Sequence, residues 1–532
     1  MSQTTSPSIE TEQGGIARAA GIIALGNIAS RVLGLVREQI IAFLFGASGL
    51  VSAFNIAAMI PNMIYELLVG GMLSAALVPV FSQVAEQEGR PALWALFGRV
   101  ASLVAVALAA IVLLLEALAP QVAWLMGGGF EPELQAILAR MIRIVAPAVL
   151  FLGLSGVVTG LLYTLKCFTF PAFGAAVFNL GIIVAALLLA GRIDAYSLTV
   201  GVLLGSVLQL LIQTPGLRGV RFRFRLDLSH PALRRILVLY LPIALGLIVS
   251  NLQIVIDRRL ASSTGESSIA WMRDATTLFQ LPHGLVAVAI SLAVLPTLSQ
   301  LSARGEREGF RQTLGLGLRL VLVLIIPATL GLLVLAEPIV ALIFEHGQFK
   351  AYDTFWTASA LRYYLAGLVF AAIDWPLNYA FYARQDTLTP ALVGILSVGV
   401  YLAVALALIH PLGMLGLVLA DSAKHFSHAL TMLFLTQRRI GRLTDLRLGQ
   451  TVGKALLAAG AMAAGAALAL SAIGGVLDTS GLVGKLIVVV VPAGLSVVVY
   501  LGLLSLLRVD EITLFRTLIR QRFQGKRTKT AG

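Results

Sequence analysis

The feature that most constrains this chain is a succession of long apolar runs separated by short polar connections. A helix needs roughly 20 apolar residues to cross the hydrocarbon core of a bilayer. Runs of that length lie at 16–45, 51–83, 91–119, 133–163, 170–190, 196–215, 232–262, 268–301, 311–336, 352–382, 388–410, 413–438, 450–474 and 482–508. The sequence therefore predicts an all-α polytopic membrane protein with about fourteen transmembrane helices.

Composition agrees with a membrane protein and excludes several other classes. Of the 532 residues, 58% are hydrophobic and 12% are charged, whereas soluble domains carry about 25% charged residues. The single cysteine, Cys167, rules out an intrachain disulfide and argues against a cysteine metal cluster. The start of the chain is polar and contains Glu10 and Glu12, unlike a basic signal peptide, so we expect the first helix to be retained.

Basic residues alternate between successive connections. Arginines cluster after even-numbered helices, as at 218–235 and 438–447, and the tail at 509–532 is also basic. Connections after odd-numbered helices are nearly free of basic residues, with Arg192 and Lys350 as exceptions. This positive-inside pattern predicts that both termini are cytoplasmic. The net charge of +13 is then a topology signal, with membrane lipids and not nucleic acid as the expected contact.

Two stretches of the sequence recur at a nearly constant offset. Residues 163–172 match 382–391 at an offset of 219, and 60–83 match 281–300 at offsets of 221 and 217. Six predicted helices fit one period, and an even number gives parallel repeats, a layout typical of transporters. The predicted organisation is a polar cytoplasmic N-terminus (1–15), a first lobe (16–215), a basic cytoplasmic linker (216–231), a second lobe (232–438), an appended helix pair (450–508) and a basic cytoplasmic tail (509–532).

Charges inside the first helix are the first candidate site. Arg31 lies near the middle of the span, where a charge is costly and should face protein or water and not lipid. Glu38 follows nearly two turns later on the same face, and Arg37 lies about a third of a turn away. Two interpretations stay open, a structural ion pair between helices and the lining of a pathway for an anionic solute.

Charges of both signs occur in the other spans. The predicted spans hold six basic and six acidic residues: Arg31, Arg37, Arg258, Arg259, Arg273 and Lys424, against Glu38, Glu66, Asp257, Asp274, Asp374 and Asp421. Composition alone therefore does not predict a strongly basic cavity.

Three oxygen-bearing residues form a second candidate site. Asp257, Asp374 and Asn378 could bind a sodium ion, or the carboxylates could carry a proton, with a structural hydrogen-bonded cluster as the alternative. A polar stripe on helix 12, formed by Asp421, Lys424, His425 and His428, is interpreted as an internal ion pair in preference to a zinc or proton site.

Enzymatic activity is not expected. The sequence lacks a phosphate-cradling loop and a nucleophile elbow. Energy for transport would come from an ion gradient or the membrane potential, which supplies about 2.3 kcal/mol per charge per 100 mV.

Several motifs resemble those of one family. These motifs are Ser30-Arg31-Val32-Leu33-Gly34-Leu35-Val36-Arg37-Glu38, then Ile60-Pro61-Asn62, Ser74–Val80, Leu281–Gly284 and Phe381–Thr387. They resemble the signature of the MurJ (MviN) lipid II flippases, in the MATE-like multidrug/oligosaccharidyl-lipid/polysaccharide exporter superfamily. The resemblance implies a bacterial inner-membrane flippase that moves the undecaprenyl-pyrophosphate-linked peptidoglycan precursor to the outer leaflet by alternating access.

The resemblance also implies site residues and partners. Arg31 and Arg37 would meet the pyrophosphate, with Glu38 in place of the usual aspartate, while Arg258, Arg259 and Arg273 are further candidates and 450–508 would hold the lipid tail. The chain departs from the family pattern at Ser52, Tyr65, Glu66, Gly70 and Thr277.

These departures leave the cargo open. Alternatives are another polyprenyl-linked glycan, a cation-coupled small-molecule exporter and a non-transporting scaffold that recruits cell-wall synthesis enzymes. The expected state is a monomer.

Overall fold

The computed structural model describes residues 9–70, 76–227, 231–441, 447–474, 481–509 and 511. In lipid, a helix satisfies its backbone hydrogen bonds within one segment, and long helices account for most of these residues. They are α1 (Ile9–Phe45), α2 (Gly49–Tyr65), α3 (Val78–Gln87), α4 (Arg90–Gly127), α5 (Pro132–Val145), α6 (Ala148–Thr164), α7 (Thr169–Ala172), α8 (Gly174–Ile193), α9 (Tyr196–Leu211), α10 (Pro231–Ser262), α11 (Ser268–Pro282), α12 (Ala289–Ala303), α13 (Arg307–Ile343), α14 (Ala351–Tyr382), α15 (Leu388–Leu412), α16 (Met414–Arg439), α17 (Leu448–Gly474) and α18 (Leu482–Leu506).

The all-helical membrane fold is confirmed. Each of the fourteen predicted spans contains helical residues, some of them broken into two pieces, as α5 and α6 are. Within the described residues, 11 helices are long and apolar enough to cross a membrane. The long helices α1, α10 and α16 are not among those 11, so the count of fourteen stays a prediction.

The chain divides into two compact units. The first comprises residues up to Ala270 together with Gly347–Phe349, and the second comprises Trp271–His346 and the residues from Lys350 onward. The sequence predicts that 232–262 belongs to the second lobe, whereas α10 belongs to the first unit. The reason is packing, because Leu233, Ile236 and Tyr240 are buried in the core that α3 and α4 build in the first unit.

Close helix crossings shape the first unit. A Cβ added at Gly181 of α8 would lie 2.5 Å from the Cα of Gly205 in α9, so these two helices touch backbone to backbone. At Gly26 of α1, an added Cβ would lie 2.1 Å from the carbonyl oxygen of Ala172. Small residues therefore let α8 approach α9 and α1 approach α7, as is common in membrane bundles.

The appended pair α17–α18 packs on α13 in the second unit. Near one end of the pair, the Tyr500 hydroxyl donates to the Val323 carbonyl at 2.6 Å. At the other end, the Lys485 ammonium donates to the carbonyl of Glu345 at 2.9 Å and pairs with its carboxylate at 3.2 Å. The pair outside the sequence repeat is thus fixed to its unit at both ends.

The internal repeat is visible in the backbone of the two units. Lys166 and Gln385, 219 residues apart, have φ of 58° and 61°, in the left-handed region. The next residue of each turn donates its N–H five residues back, Cys167 to Leu162 at 2.8 Å and Asp386 to Phe381 at 3.0 Å. Both turns are therefore the same left-handed helix end.

A second pair of turns matches at the same offset. Asp194 has φ 50° and ψ −140°, and Gly413 has φ 57° and ψ −131°. π-Helical segments also recur, at Glu66–Gly70 and His283–Val288. Matching turns and π segments support two copies of one helical unit.

Candidate functional site

The predicted charges of α1 form a buried cluster with α8. Arg37 pairs with the carboxylate of Glu38, and its Nη1 donates to Asn179 Oδ1 at 2.8 Å. The Asn179 amide in turn donates to the Ser30 carbonyl at 3.2 Å. Glu38 is only 4% exposed. A buried carboxylate needs a partner such as Arg37. The two hydrogen bonds of Asn179 then join α1 to α8.

Arg31 has different surroundings. It is exposed, and no hydrogen bond or ion pair joins it to another described residue. The buried ion pair of this helix is thus Arg37–Glu38, and the Arg31–Glu38 pair considered from helical spacing is absent from the described contacts. Helical spacing put Arg31 and Glu38 on one face, but only Glu38 lies where α8 covers that face.

Two further predicted arginines lie in α10 of the first unit. Arg258 pairs with its neighbour Asp257 at 3.3 Å, and each side chain is 18% exposed. The Arg259 guanidinium lies over the Trp124 ring, 5.5 Å from its centroid, which is cation–π range. Both arginines are therefore engaged locally.

Arg273 is half-buried on α11. It belongs to the second unit, whereas the arginines of α10 belong to the first. Among the described residues of the first unit, no shared hydrogen-bond or ion-pair partner links Arg37 to Arg258.

The second unit holds a cluster of carboxylates and imidazoles that links α14 to α16. Asp374 Oδ1 lies 3.0 Å from His428 Nδ1, and Asp374 Oδ2 lies 3.9 Å from His425 Nδ1. His425 Nε2 lies 3.6 Å from Asp421 Oδ2, and Asp421 Oδ1 accepts from Lys424 Nζ at 2.5 Å. The predicted ion pair in helix 12 is present, and the sequence analysis missed its extension to Asp374.

The predicted oxygen ligands do not come together within either unit. Asp257 lies in the first unit, whereas Asp374 and Asn378 lie in the second. Among the described residues, no group of three or more His, Cys, Asp or Glu side chains could hold a metal ion. Asn378 Oδ1 is buried without a hydrogen-bond partner in that part of the chain.

The first unit has a neutral contact at the same place in the repeat. Ser155 and Gln209 precede Asp374 and His428 by 219 residues each, and Gln209 Nε2 donates to Ser155 Oγ at 3.3 Å. Gln213 also donates to Ser155, at 2.6 Å, and accepts from Thr159 at 3.2 Å.

The repeat also explains the unpartnered amide oxygen of Asn378. Thr159 corresponds to Asn378, and Gln213 corresponds to the buried, apolar Met432. The second unit therefore lacks the side chain that would complete the network around Asn378.

His283 begins the π segment of the second unit, and sequence reasoning missed its role. Trp375 Nε1 donates to His283 Nε2 at 3.2 Å, and the same nitrogen lies 3.2 Å from the Ala371 carbonyl. One nitrogen cannot accept and donate at once, so the ring has two alternative hydrogen-bonding arrangements. The signal in the sequence is a histidine directly after Pro282, followed in the chain by Trp375 beside Asp374.

Positions that depart from the family pattern fit the structure. Ser52 is buried and accepts the N–H of Ala270 at 3.2 Å, and Thr277 donates to the Arg273 carbonyl at 3.0 Å. Tyr65 ends α2 where the π segment Glu66–Gly70 begins. These residues have structural roles of their own.

Comparisons with known proteins agree on one family. The family model described as "Lipid II flippase MurJ" matches residues 41–490. The chain is 33% identical over 379 residues to the lipid II flippase MurJ of Burkholderia cenocepacia, covering 69% of this chain and 73% of that protein. It is 28% identical over 509 residues to the probable lipid II flippase MurJ of Bdellovibrio bacteriovorus, covering 94% and 96% of the two chains.

Solved structures give the same fold. A lipid II flippase MurJ in an inward closed conformation superposes with a TM-score of 0.77 at 25% identity, covering 93% of this chain and 99% of that one. An inward-facing multidrug resistance MATE family transporter of the MOP superfamily gives a TM-score of 0.67 at 14% identity, covering 78% and 96% of the two chains, a likeness of fold alone.

Proposed function

The chain belongs to the MurJ family of lipid II flippases, and from this membership we propose that it carries lipid II across the bacterial inner membrane to the outer leaflet by alternating access. It is a transporter and not an enzyme. The observation that carries the cargo site is Arg31, a cation within α1 that no described residue neutralises.

Arg31 suits the pyrophosphate of the cargo. A charge within a span is costly unless an opposite charge or water meets it. A guanidinium binds phosphate through two parallel hydrogen bonds, which a lysine cannot form. Arg37 already donates to Glu38 and Asn179, so we assign it a positioning role that holds α1 in place. Arg258, Arg259 and Arg273 stay secondary candidates because they have other partners.

The appended pair offers a surface for the polyprenyl tail. Long apolar side chains of α17 and α18 are largely exposed, among them Leu457 and Leu468, each 71%, and Val483 and Val498. Exposed aliphatic side chains of this kind suit a hydrocarbon chain within the bilayer.

Complementation tests the cargo site. A cell depleted of its own lipid II flippase receives the intact chain, Arg31→Ala or Arg31→Lys, with Arg90→Ala as an exposed arginine control outside the apolar part of a span. We expect the intact chain and Arg90→Ala to rescue growth, Arg31→Ala to fail and Arg31→Lys to rescue partly. Rescue by Arg31→Ala at equal membrane expression would remove the site assignment.

A different polyprenyl-linked glycan is the second candidate cargo. The observation that favours it is Tyr65 and Glu66, which stand at the π segment where the family pattern has an arginine pair. Translocation of each lipid by purified protein in vesicles decides between the two cargoes. If the second candidate is right, lipid II crosses more slowly than the rival polyprenyl-linked glycan.

Assembly and energy supply are also part of the proposal. We propose a monomer driven by an ion gradient or the membrane potential, with cell-wall synthesis enzymes as candidate partners. Cross-linking in membranes followed by size analysis tests both the monomer and these partners. Sodium and proton gradients are separated by imposing each one alone.

A further inference from the structure

The cluster around Asp374 consists of groups whose charge can change within the membrane. Asp374 is 7% exposed, yet it lies in a helix that qualifies as a membrane span. Its nearest polar partner is the imidazole of His428, at 3.0 Å. Imidazole is the side chain that changes charge between about pH 5 and 8.

The structure assigns to Asp374 and His428 one exchangeable proton, and we propose that this pair is the proton-binding site that couples transport to a proton gradient. In the unloaded pair, His428 Nδ1–H donates to the carboxylate and the pair carries one negative charge. A proton then binds the free lone pair on His428 Nε2, and the loaded pair is neutral overall. Loading thus removes a net charge from the membrane interior, which lowers the cost of moving the site.

Neighbouring groups extend the cluster beyond the pair. His425 lies between two carboxylates, 3.9 Å from Asp374 and 3.6 Å from Asp421. These distances exceed a hydrogen bond but lie within ion-pair range. Since Asp421 is paired with Lys424, Asp374 is the carboxylate of this cluster whose charge a protonated imidazole balances.

The charged and titratable surroundings of the pair are limited. His283 packs against α14, where it meets Trp375 and the Ala371 carbonyl. On α13, Arg319 pairs with Glu511 and Glu337 pairs with Arg362. The titratable residues of α15 are Tyr401 and His410, and α12 has none. Besides Asp374, α14 itself carries Tyr352, Asp353, Arg362, Tyr363, Tyr364, Tyr379 and Tyr382. The proton therefore resides among three histidines and two aspartates.

The repeat argues against a purely structural need for these charges. Ser155 and Gln209 make the equivalent contact in the first unit with neutral side chains. The fold therefore accepts an uncharged pair at this position, and the acid and imidazole of the second unit serve another purpose. This inference rests on the proposed transport function for its coupling role, but not for the binding of the proton.

Proton binding is tested first on the full-length protein without cargo. Infrared difference spectra between about pH 6 and 8 report histidine and carboxyl protonation. Variants are His428→Gln, which copies the first unit, Asp374→Asn, and His410→Gln as an exposed histidine control. We expect His428→Gln and Asp374→Asn to remove one histidine signal that His410→Gln leaves in place. A spectrum unchanged in His428→Gln would overturn the proposal.

Coupling is tested in vesicles with the membrane potential clamped at zero. The imposed proton gradient is one pH unit. If one proton is coupled to each transport step, we expect this gradient to change lipid II translocation by the intact chain about tenfold. His428→Gln should lose this response and His410→Gln should keep it. A response that persists in His428→Gln, or a drive by sodium alone, would overturn the coupling role. If lipid II does not cross at all, the cargo proposal fails while the infrared result still decides the proton site.

Discussion

The contacts Ser155–Gln209 and Asp374–His428 occupy the same place in two copies of one helical unit, but their chemistry differs. The first is a hydroxyl with an amide, and its charge is the same at every physiological pH. The second is a carboxylate with an imidazole, two side chains whose chemistry allows a proton to be exchanged. The difference teaches that two repeats can keep the same backbone while their side chains at one position differ in chemistry. The neutral copy shows that the fold does not require charged groups at this place.

Placing the charge of the second unit in the first should have the largest effect. Ser155→Asp puts a carboxylate at a fully buried position whose partners are amides. We expect a loss of about 3 kcal/mol or more in the free energy of unfolding, because the new charge has no cation to pair with.

Ser155→Ala, expected to cost about 1–2 kcal/mol, is the control for the lost hydrogen bonds. Thermal unfolding in detergent measures both variants. Equal stability of the two variants would mean that the site is wetter than the structure indicates.

The reverse exchange should separate stability from transport. The double variant Asp374→Ser with His428→Gln gives the second unit the residues of the first. We expect the unfolding free energy to change by about 1 kcal/mol or less, because a buried charged pair is replaced by a neutral one. Transport driven by a gradient of one pH unit should fall about tenfold, because the variant no longer couples one proton to each transport step. A folded variant with full proton-driven transport would break the comparison.

Exchanging the matched turn residues should have an intermediate effect. Asp194 adopts φ 50° and ψ −140°, a region that suits glycine and costs other residues about 1–3 kcal/mol. Asp194→Gly should therefore stabilise the chain by about 1 kcal/mol after the entropy cost of glycine. Gly413→Asp should destabilise it by a similar amount. Paired melting curves of the two variants measure the effects, and the same sign for both would contradict equal turns.

Completing the network of the second unit should give a smaller gain. Met432→Gln supplies the residue that Gln213 provides in the first unit, within reach of the unpartnered Asn378 oxygen. A new buried hydrogen bond is worth about 1 kcal/mol. Chemical denaturation of Met432→Gln beside Met432→Leu measures this difference. A loss of stability relative to Met432→Leu would show that the two units differ in shape here.

The smallest effect concerns the matched helix start at Asp386. Desolvation raises the pKa of this carboxyl, but hydrogen bonds from the Thr389 N–H and hydroxyl, together with the Arg439 guanidinium, outweigh it, so the pKa lies below its usual 3.8. Its stabilising contribution is thus complete above pH 3.8 and is lost as the pH falls through the lower native value.

Asp386→Asn should cost about 0.5 kcal/mol at neutral pH and nothing in strong acid. Cys167→Ser, at the equivalent position of the first unit, should show no such pH dependence. Melting temperatures across the acid range compare the two variants.

The sequence predicted the helices, the repeat and the Asp421–Lys424 pair because each is local or periodic. It could not predict that Arg37 binds Asn179, since α8 lies more than a hundred residues away in the chain. Nor could the apolar pattern of 232–262 show that α10 packs with α3 and α4, because a helix face does not specify its partner. Asp374–His428 was within reach, since the offset of 219 aligns it with Ser155–Gln209, but a repeat alone does not show contact.

The matched turns have a consequence for how this protein can be rebuilt. Lys166 and Asp194 bound a stretch of the first unit, and Gln385 and Gly413 bound its counterpart, with the same backbone at both junctions. Recombination at these junctions exchanges whole segments without inserting or deleting a residue. The two segments can therefore be exchanged, and a chimera built this way keeps the backbone junctions of its parent while changing the side chains of the segment, among them Asn179, the partner of Arg37.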